Sequence, residues 1–328
     1  MTTRVLVTGA GGFIGHHLVK YLLDKGYWVR GVDIKHPEYE PSPAHEFEIL
    51  DLRRFDNCLI ATRGIDEAYH LAADMGGIGY ITAYHAGIAR NSAMINLHTL
   101  EAARLNEVKS FLFSSSACVY PQYLQKNPDV TNLKEEDAYP AEPEEGYGTE
   151  KLFMESMCQY YHEDYGFETR TVRFHNVYGP LGTYEGGKEK APAAICRKVA
   201  LTPDGDEIEV WGDGEQTRSF MHIDDCVEGI YRIMHSGYPH PLNLGTDELV
   251  TINQLVDLVA EIAGKHLIKR HDLSKPQGVR GRNSDNDKLR QVLEWEPRIS
   301  LKEGLAPTYQ WIESELREAG RVPELAQS

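Results

Sequence analysis

Short apolar runs alternate with amphipathic stretches through the first half of this 328-residue chain. The runs are rich in β-branched and aromatic residues and predict strands at residues 4–8, 28–32, 46–50, 67–71, 110–114 and 169–173. Apolar residues at helical spacing predict helices at residues 16–25, 91–106 and 148–165. Because strands that alternate with helices build parallel sheets, the pattern predicts an α/β fold with a Rossmann-type doubly wound parallel sheet.

This regular alternation ends at residue 174. A loop rich in glycine and lysine follows at residues 179–190, then a helix predicted from residue 192, a strand pair around residues 207–211 and a helix at residues 252–263. Apolar runs within residues 220–246 indicate a return to the sheet. We therefore predict a first domain at residues 1–175 together with 220–246, and a smaller C-terminal α/β substrate-binding domain built from residues 176–219 and 247–328.

Composition and charge narrow the function classes. The formal net charge of −16 disfavours long-range attraction to nucleic acid or to an anionic membrane, so any phosphate must be bound by local groups. No apolar run approaches the roughly 20 residues that a membrane span needs. The five cysteines show neither paired nor zinc-ligand spacing, which indicates no metal site and a reducing environment. We therefore expect a cytoplasmic protein whose partners are small molecules.

A glycine motif follows the first predicted strand and opens the first helix. Gly9, Gly12 and Gly15 lie three residues apart in the run TGAGGFIG at residues 8–15. Glycines at these points permit a tight turn, close approach of a pyrophosphate and close helix packing, while the free N–H groups of a helix start favour an anion. The spacing is GxxGxxG rather than the common GxGxxG, but its place between strand and helix predicts a dinucleotide site.

An acidic residue ends the second predicted strand. Asp33 stands about twenty residues after the glycine motif, where a carboxylate accepts a hydrogen bond from a ribose hydroxyl and repels the 2′-phosphate of NADP. NAD is therefore the expected cofactor. Lys35 and Arg30 lie close enough in sequence to weaken this preference, because cations attract the 2′-phosphate.

Tyr147 and Lys151 stand four residues apart at the start of a predicted helix, so both side chains share one face. A neighbouring ammonium lowers the pKa of a tyrosine from about 10 and lets it act as a base. On its own, the YxxxK pattern is equally typical of a solvated helix face. Together with the glycine motif, it resembles the extended short-chain dehydrogenase/reductase superfamily.

This resemblance implies an enzyme that moves a hydride between NAD and an alcohol. Ser115 or Ser116 would supply the third catalytic member, with Ser116 bonding the reacting oxygen, Tyr147 taking its proton and Lys151 holding the nicotinamide ribose. The residues expected to contact NAD, besides Tyr147 and Lys151, are Gly9, Gly12, Phe13, Ile14, Gly15, Asp33, Asp51, Leu52 and Ala72.

Five segments resemble one family within this superfamily more closely. They lie at residues 71–77, 173–180, 187–194, 211–220 and 278–286. They are similar to the GDP-mannose 3,5-epimerase family, in which a cysteine and a lysine at the positions of Cys118 and Lys190 invert sugar carbons as an acid/base pair. The implied reaction converts GDP-mannose to GDP-L-galactose and GDP-L-gulose by C4 oxidation with bound NAD, proton inversion at C5 and C3, and re-reduction.

The same resemblance implies a set of substrate contacts. Arg218 and Arg282 are expected to bind the diphosphate, with Arg280 as a competitor of Arg282, because arginine forks bind phosphate bidentately. Arg218 also has a plainer alternative, an ion pair with Asp224 or Asp225. The other expected contacts are Met75, Gly76, Ser116, Ala117, Cys118, Asn176, Glu189, Lys190, Ala191, Lys198, Gln216 and Ser219.

A homodimer is implied as well. In the superfamily, subunits commonly pair through the helices that correspond here to residues 91–106 and 148–165. The apolar positions that suit such an interface, and equally suit packing on the sheet, are Met94, Leu97, Phe153 and Met157.

Several alternatives stay open at this point. A 4-epimerase, a 4,6-dehydratase or a decarboxylase of the same superfamily would share the glycine motif and the Tyr/Lys pair. A dehydratase is expected to carry acidic residues where Ala117 and Cys118 stand, which argues against that activity. From another class, a non-catalytic NAD-binding subunit or redox sensor would share the cofactor site. The nucleoside, the ratio of C5 to C3,5 products, and which of the cysteine and the lysine is the acid stay undetermined.

Overall fold

Thirteen strands and nine helices form the part of the chain that the computed structural model describes, residues 2–75, 84–127, 132–275 and 279–322. The strands are β1 (Arg4–Thr8), β2 (Trp28–Asp33), β3 (Glu46–Ile49), β4 (Glu67–His70), β5 (Ser110–Ser116), β6 (Glu168–Phe174), β7 (Asn176–Tyr178), β8 (Glu207–Trp211), β9 (Thr217–His222), β10 (Leu242–Leu244), β11 (Leu249–Thr251), β12 (Ile268–Asp272) and β13 (Gly281–Arg282). The helices are α1 (Phe13–Asp24), α2 (Phe55–Thr62), α3 (His85–Leu105), α4 (Tyr147–Tyr165), α5 (Ala191–Leu201), α6 (Ile223–Met234), α7 (Ile252–Ala263), α8 (Asp287–Leu293) and α9 (Leu301–Glu318). Within these ranges, no helix is both long enough and apolar enough to cross a membrane.

The central sheet has seven strands, and neighbouring strands run parallel. Its order is β3-β2-β1-β4-β5-β6-β10. The strand order reverses between β1 and β4, and doubly wound sheets bind their ligands at this switch point, outside the carboxyl ends of the strands. The predicted α/β fold with a Rossmann-type doubly wound sheet is confirmed.

Helices cover both faces of this sheet. On one face, α1 and α6 pack over a core that includes Val7 and Ile230. On the other face, α2, α3 and α4 cover a core that includes Leu6, Leu100 and Met154. Consecutive residues of a strand point to opposite faces, so Leu6 and Val7 of β1 enter different cores. A strand buried on both sides is apolar where both cores cover it, as β1 is from Val5 to Val7.

A smaller set of elements packs around another core. The helices α5, α7 and α9 surround buried residues that include Val256 and Ile312, and the last two helices begin with capping boxes at Thr251 and Ser300. The strands form the series β11-β9-β13, with β7 also paired to β9, and the parallel pair β8-β12. These elements follow β6 in sequence, and their assignment to a separate domain stays a prediction.

Predicted and observed elements differ mainly at their ends. The six predicted strands agree with β1 to β6 to within two residues at each end. Four of the five predicted helices begin earlier than predicted, and α3 already begins at His85. The helix predicted at residues 252–263 agrees with α7 at both ends. The return to the central sheet begins later than predicted, because Phe220 lies in β9, whose backbone bonds to β7, β11 and β13 of the smaller sheet. Only β10 rejoins the central sheet.

Candidate active site

The glycine motif forms the turn between β1 and α1. Gly9 has a φ of +71°, and a Cβ on Gly15 would lie 2.1 Å from the carbonyl oxygen of Gly9. Gly11, which the motif spacing did not single out, is equally constrained, because a Cβ there would lie 2.2 Å from the carbonyl oxygen of Lys35. Gly12 is the N-cap of α1 and offers no side chain to the first N–H groups, and the first turn carries no acidic residue. The helix start therefore leaves room and donors for a phosphate group.

Asp33 lies directly beside this turn, at the end of β2. Its Oδ2 accepts a hydrogen bond of 2.9 Å from the Gly11 N–H, and its Oδ1 accepts one of 2.6 Å from the Ile34 N–H. Ala72 approaches the turn from beyond β4, since a Cβ on Gly9 would lie 2.9 Å from the Ala72 nitrogen. Both residues therefore border the space that a dinucleotide on the glycine turn would occupy.

The remaining four residues expected to contact the dinucleotide differ in which of their atoms are available to it. Phe13 lines a cavity next to the glycine turn, and Ile14 is half-buried in α1. Asp51 forms an ion pair of 2.6 Å with Arg53, and this hydrogen bond lowers the pKa of the carboxyl group. Leu52 is 3% exposed and packs in the core under α2, α3 and α4, so it can offer only its backbone.

Tyr147 and Lys151 occupy the first turns of α4 and are buried, with 5% and 1% exposure. The Lys151 Nζ donates a hydrogen bond of 2.7 Å to the carbonyl oxygen of Ser114 and lies 5.6 Å from the centroid of the Tyr147 ring. Burial raises the pKa of the Tyr147 phenol and lowers the pKa of the Lys151 ammonium. A cation close to a phenol favours the phenolate, so the pair can act as a base if the lysine keeps its charge.

The structure separates the two candidate serines. The Ser115 Oγ donates a hydrogen bond of 2.5 Å to Glu155, whose carboxylate forms a buried ion pair of 2.7 Å with Arg173. The Ser116 side chain instead lies on the side of Tyr147, where it lowers the pKa of the phenol. Consecutive residues at a strand end point to opposite sides. Ser115 therefore points into the interior, and Ser116 points into the cleft, the space lined by Tyr147, Cys118 and Lys190.

Cys118 lies in a short 3₁₀ turn after β5, where its backbone N–H donates to the Ser116 Oγ at 3.2 Å. Its side chain is 8% exposed and packs with Ile88 and Tyr147. The Arg282 Nη1 lies 3.8 Å from the sulfur. Burial raises the pKa of the thiol, and the guanidinium opposes this increase because a cation favours the thiolate. The cysteine therefore adjoins the tyrosine with a positive charge at its sulfur.

Lys190 is the N-cap of α5 and faces the same cleft. Its electrostatic neighbours are Cys118, Arg282 and Glu144. Burial of the ammonium lowers its pKa, yet the residue as a whole is exposed to solvent. Water in the open cleft screens the ammonium. The pKa falls fully only when a bound molecule displaces that water.

Three arginines meet near this cleft. Arg218 of β9 and Arg282 of β13 are paired neighbours in the parallel ladder, and the Arg280 Nη1 donates to Asp213 at 3.0 Å. Burial and the two other guanidinium groups lower the pKa of Arg218. Asp225, one of its alternative partners, accepts hydrogen bonds from the backbone at positions 298 and 299. Arginines held this close repel one another, and a bound diphosphate would relieve the repulsion.

Ser219 and Gln216, two of the predicted substrate contacts, each have a buried polar atom without a hydrogen-bond partner in the described ranges. The Asn176 Nδ2 donates to the Ser219 carbonyl oxygen at 3.1 Å, and the Gln216 Nε2 donates to the Trp211 carbonyl oxygen at 3.3 Å. The Ser219 Oγ and the Gln216 Oε1 are buried and have no hydrogen-bond partner in the described ranges. Because an unpaired buried polar atom is costly, both atoms are suited to meet a bound ligand.

Lys198 and Glu189 are engaged by other protein groups. The Lys198 Nζ donates to the Glu209 carbonyl oxygen at 3.0 Å and lies 5.4 Å from the centroid of the Trp211 ring. The Glu189 carboxylate accepts a hydrogen bond of 3.4 Å from Arg197. Lys198 and Gln216 therefore lie next to Trp211. Cys118, Lys190 and Arg282 form a separate group, which adjoins Tyr147 through Cys118.

For the other predicted substrate contacts, the structure defines the exposure but no specific interaction. Met75 is 41% exposed at the end of a described range, and Gly76 lies outside the described residues. Ala117 is buried at 3% exposure in the turn that carries the cysteine. Ala191 is half-buried as the first residue of α5.

Three side chains around the cleft were missed by the sequence reasoning. The Gln125 Oε1 accepts a hydrogen bond of 2.5 Å from the Arg282 Nε. Glu144 interacts electrostatically with the cysteine, the lysine and the tyrosine of the cleft. Glu150, directly before Lys151, is buried at 5% exposure. Only Glu150 had a sequence signal, namely a carboxylate next to a functional lysine, because the other two lie in loops.

Comparison with known proteins agrees with this geometry. The NAD dependent epimerase/dehydratase family matches residues 5–245. GDP-mannose 3,5-epimerase 1 of Oryza sativa subsp. japonica is 48% identical over 315 residues, which cover 95% of this chain and 82% of that protein. The GDP-mannose 3,5-epimerase of Arabidopsis thaliana is 47% identical over 315 residues, which cover 95% of this chain and 83% of that protein.

Solved structures of related enzymes share the fold. UDP-glucose 4-epimerase from Thermotoga maritima has a TM-score of 0.86 and 28% identity, covering 96% of this chain and 100% of that chain. UDP-glucuronic acid 4-epimerase from Bacillus cereus, in complex with UDP-glucuronic acid and NAD, has a TM-score of 0.81 and 26% identity, covering 95% and 100%. The cofactor of this chain is NAD. The chain belongs to the NAD-dependent epimerase/dehydratase family.

Proposed function

We propose that this enzyme is a GDP-sugar epimerase that converts GDP-mannose to GDP-L-galactose and GDP-L-gulose. The observation that carries the proposal is the meeting of Cys118, Lys190 and Arg282 in the cleft next to the buried Tyr147. Its 47–48% identity to two GDP-mannose 3,5-epimerases over 95% of the chain supports the choice of substrate. An enzyme that only oxidises and re-reduces C4 has no use for two further acid/base groups at this place.

NAD, when bound, accepts a hydride from an alcohol carbon and later returns it. Its pyrophosphate fits the N-terminus of α1, where Gly11 and Gly15 leave no space for a Cβ. Asp33 would accept a hydrogen bond from the adenosine ribose, because it ends β2 beside the glycine turn. Lys151 would hold the nicotinamide ribose through its buried ammonium.

Tyr147 would take the proton of the sugar C4 hydroxyl. Ser116, which lies beside the Tyr147 phenol and lowers its pKa, would orient the same oxygen. A C–H bond beside an alcohol is not acidic enough for a side chain to deprotonate, whereas a C–H bond beside a ketone is. Oxidation at C4 therefore has to precede inversion at C5 and C3, and reduction at C4 completes the turnover.

Cys118 and Lys190 would move the carbon-bound protons. Inversion requires a base on one face of the sugar and an acid on the other. We assign the base to Lys190, because a substrate that displaces water from the cleft lowers the pKa of its ammonium. We assign the acid to Cys118, because burial raises the pKa of its thiol and keeps it protonated.

The nucleoside diphosphate would lie at Arg218 and Arg282. Because the whole chain carries a net charge of −16, an anionic substrate has to be held by a local cluster of cations. Both arginines belong to the proposed nucleotide-sugar-binding domain, residues 176–219 and 247–328. Residues 1–175 with 220–246 would form the NAD-binding domain.

We further propose a cytoplasmic homodimer. Met94 on α3 and Phe153 on α4 are 38% and 47% exposed, and the two helices pack side by side. Exposed apolar side chains on adjoining helices suit a helix-bundle interface. Leu97 and Met157 pack partly against the core, so they would contribute less. All five cysteines are free, as expected of a reducing compartment.

Turnover in heavy water tests the proposed chemistry. GDP-mannose incubated with the enzyme and NAD is expected to gain deuterium at C5 and C3, measured by NMR of the separated products. Cys118→Ala is expected to lose inversion at C5 and C3 in the separated products while C4 oxidation, seen as absorbance of the reduced cofactor, continues, because Lys190 can still remove a proton but no acid returns one to the opposite face. Tyr147→Phe is expected to lose both. Cys196→Ala, at a buried cysteine of the smaller core, is the matched control and should keep the inversion.

Other outcomes would point to other functions. Inversion at C4 without label at C5 or C3 would indicate a 4-epimerase, the activity named for the Thermotoga maritima enzyme of the same fold. No change in any nucleotide sugar would indicate a non-catalytic NAD-binding subunit or redox sensor. Inversion at C5 and C3 at the wild-type rate in Cys118→Ala would refute the role of the thiol.

A further inference from the structure

A chain of buried hydrogen bonds runs from the glycine motif to the residue before Lys151. It joins Thr8 Oγ1 to His70 Nδ1 at 2.8 Å, His70 Nε2 to Asn96 Oδ1 at 2.8 Å, and Asn96 Nδ2 to Glu150 Oε1 at 2.7 Å. The first three residues are fully buried and Glu150 is 5% exposed. The chain therefore connects β1, β4, α3 and α4 beneath the cofactor site.

Backbone contacts fix the direction of these hydrogen bonds. The Thr8 Oγ1 accepts the backbone N–H groups of positions 71 and 72, both at 3.1 Å, so its own proton is donated to His70 Nδ1. Burial lowers the pKa of His70 to about 3, so the neutral ring carries its proton on Nε2 and donates it to the Asn96 carbonyl oxygen. The Asn96 amide must then donate its N–H to Glu150.

The donor at the end of this chain favours an ionised Glu150. Burial raises the pKa of the carboxyl group, while the charge of Lys151 and the hydrogen bond from Asn96 oppose that increase. The second carboxylate oxygen, Oε2, is buried and has no hydrogen-bond partner among the described residues. A buried carboxylate with an unpaired oxygen is costly unless a nearby cation compensates it.

The buried ammonium of Lys151, in turn, needs a negative charge to compensate it. Its ammonium is 1% exposed and its hydrogen bond goes to the neutral carbonyl oxygen of Ser114, so its charge has to be compensated from further away. We propose that Glu150 is a positioning residue, an ionised carboxylate held by the hydrogen-bond chain that keeps the buried Lys151 ammonium charged for the hydride step. The proposal rests on the proposed function only in its use of that step.

Other titratable groups also face this pair. Tyr147 and Cys158 share α4, His70 comes from β4, and Cys118 comes from the turn after β5. Burial favours the uncharged form of each of these four groups, because it raises the pKa of the acids and lowers that of the histidine. Tyr147 would lose its proton only transiently, for the hydride step. Glu155 is committed to its ion pair of 2.7 Å with Arg173. Of these groups, none offers the lysine an uncommitted negative charge in place of Glu150.

The test is the titration of Lys151 in the NAD-bound enzyme. NMR of protein labelled at lysine Cε follows the ammonium, and Lys151→Met assigns the signal by its loss. Glu150→Gln keeps the shape and removes the charge, so the midpoint should fall by about one pH unit or more. Glu150→Asp keeps the charge and should restore most of the midpoint. Glu163→Gln, at an exposed position of the same helix, is the matched control and should leave it unchanged.

An unchanged midpoint in Glu150→Gln overturns the proposal, and so does an equal fall in Glu163→Gln. If Glu150→Gln does not fold, the titration midpoint of Lys151 is measured in Asn96→Ala instead. This change removes the donor that favours the carboxylate, so the midpoint should fall in part, and an unchanged midpoint again overturns the proposal.

The titration requires no sugar, so its result is independent of the substrate. Failure to turn over GDP-mannose would reject the proposed function and leave the result on Glu150 standing. If the enzyme does turn over GDP-mannose, the basic limb of the pH profile of kcat/KM should move to lower pH in Glu150→Gln. A purely structural role would reduce kcat/KM without moving that limb.

Discussion

The guanidinium of Arg282 lies 3.8 Å from the sulfur of Cys118, and its removal should raise the pKa of the thiol. Two unit charges at such a distance interact by about 4 kcal/mol at an effective dielectric constant of about 20. Solvent around the half-exposed arginine screens part of this energy, and halving it leaves about 2 kcal/mol. Since one pKa unit corresponds to about 1.4 kcal/mol, Arg282→Gln should raise the thiol pKa by about 1.5 units.

Alkylation by iodoacetamide over a range of pH measures this shift, because the thiolate is the reactive form. The other four cysteines are at most 1% exposed against 8% for Cys118, so the fast phase should belong to Cys118 and disappear in Cys118→Ala. Its midpoint should rise in Arg282→Gln and rise less in Arg282→Lys, which keeps a positive charge.

Arg280→Gln is the matched control, because that guanidinium bonds Asp213 and its charge is not a principal influence on the thiol. It should shift the midpoint less than Arg282→Gln does. A midpoint that stays in place or falls in Arg282→Gln would refute the action of this guanidinium on the sulfur.

Three further predictions concern cofactor binding, acid stability and assembly. Gly15→Ala should abolish NAD binding measured by calorimetry, because its Cβ would lie 2.1 Å from the Gly9 carbonyl oxygen, whereas Gly87→Ala, with no atom within 4 Å, should bind normally. The folded-state pKa of His70, about 3, is below its unfolded value, so its contribution is present above the unfolded pKa and is lost as the pH falls. Between about pH 7 and pH 5, the free energy of unfolding by urea should fall by about 2 kcal/mol more in the wild type than in His70→Asn, because His175, whose pKa is lowered equally, contributes to both proteins. An equal fall in the two proteins would contradict this. Phe153→Glu should give monomers in light scattering, and a monomeric wild type would refute the dimer.

The local part of the site was predictable from the sequence. Gly9, Gly15, Tyr147 and Lys151 act through spacings of a few residues, and such spacings follow directly from turn and helix geometry. The choice of Ser116 over Ser115 came from the family resemblance and was not predictable from local pattern. It depends on the side to which each residue of β5 points, and the predicted strand ended at residue 114 whereas β5 continues to Ser116.

The long-range part of the site could not be predicted from local pattern. Arg282 and Cys118 are 164 residues apart in sequence, and only the pairing of β13 with β9 and the turn after β5 bring them together. Family resemblance named both residues but not their contact. Gln125, which holds the guanidinium, and Glu144 lie in loops whose course depends on the elements around them, so no periodic signal marked them.

Three consecutive serines end β5, and each has a different partner. The carbonyl oxygen of Ser114 binds Lys151, the hydroxyl of Ser115 binds Glu155, and the hydroxyl of Ser116 accepts the N–H of Cys118 next to Tyr147. The run looks redundant in sequence, yet alanine should be silent at the first position, destabilise the fold at the second and slow turnover at the third. Deleting one serine would turn the remaining hydroxyls to the opposite faces. The length of this run is therefore under a stricter constraint than its composition.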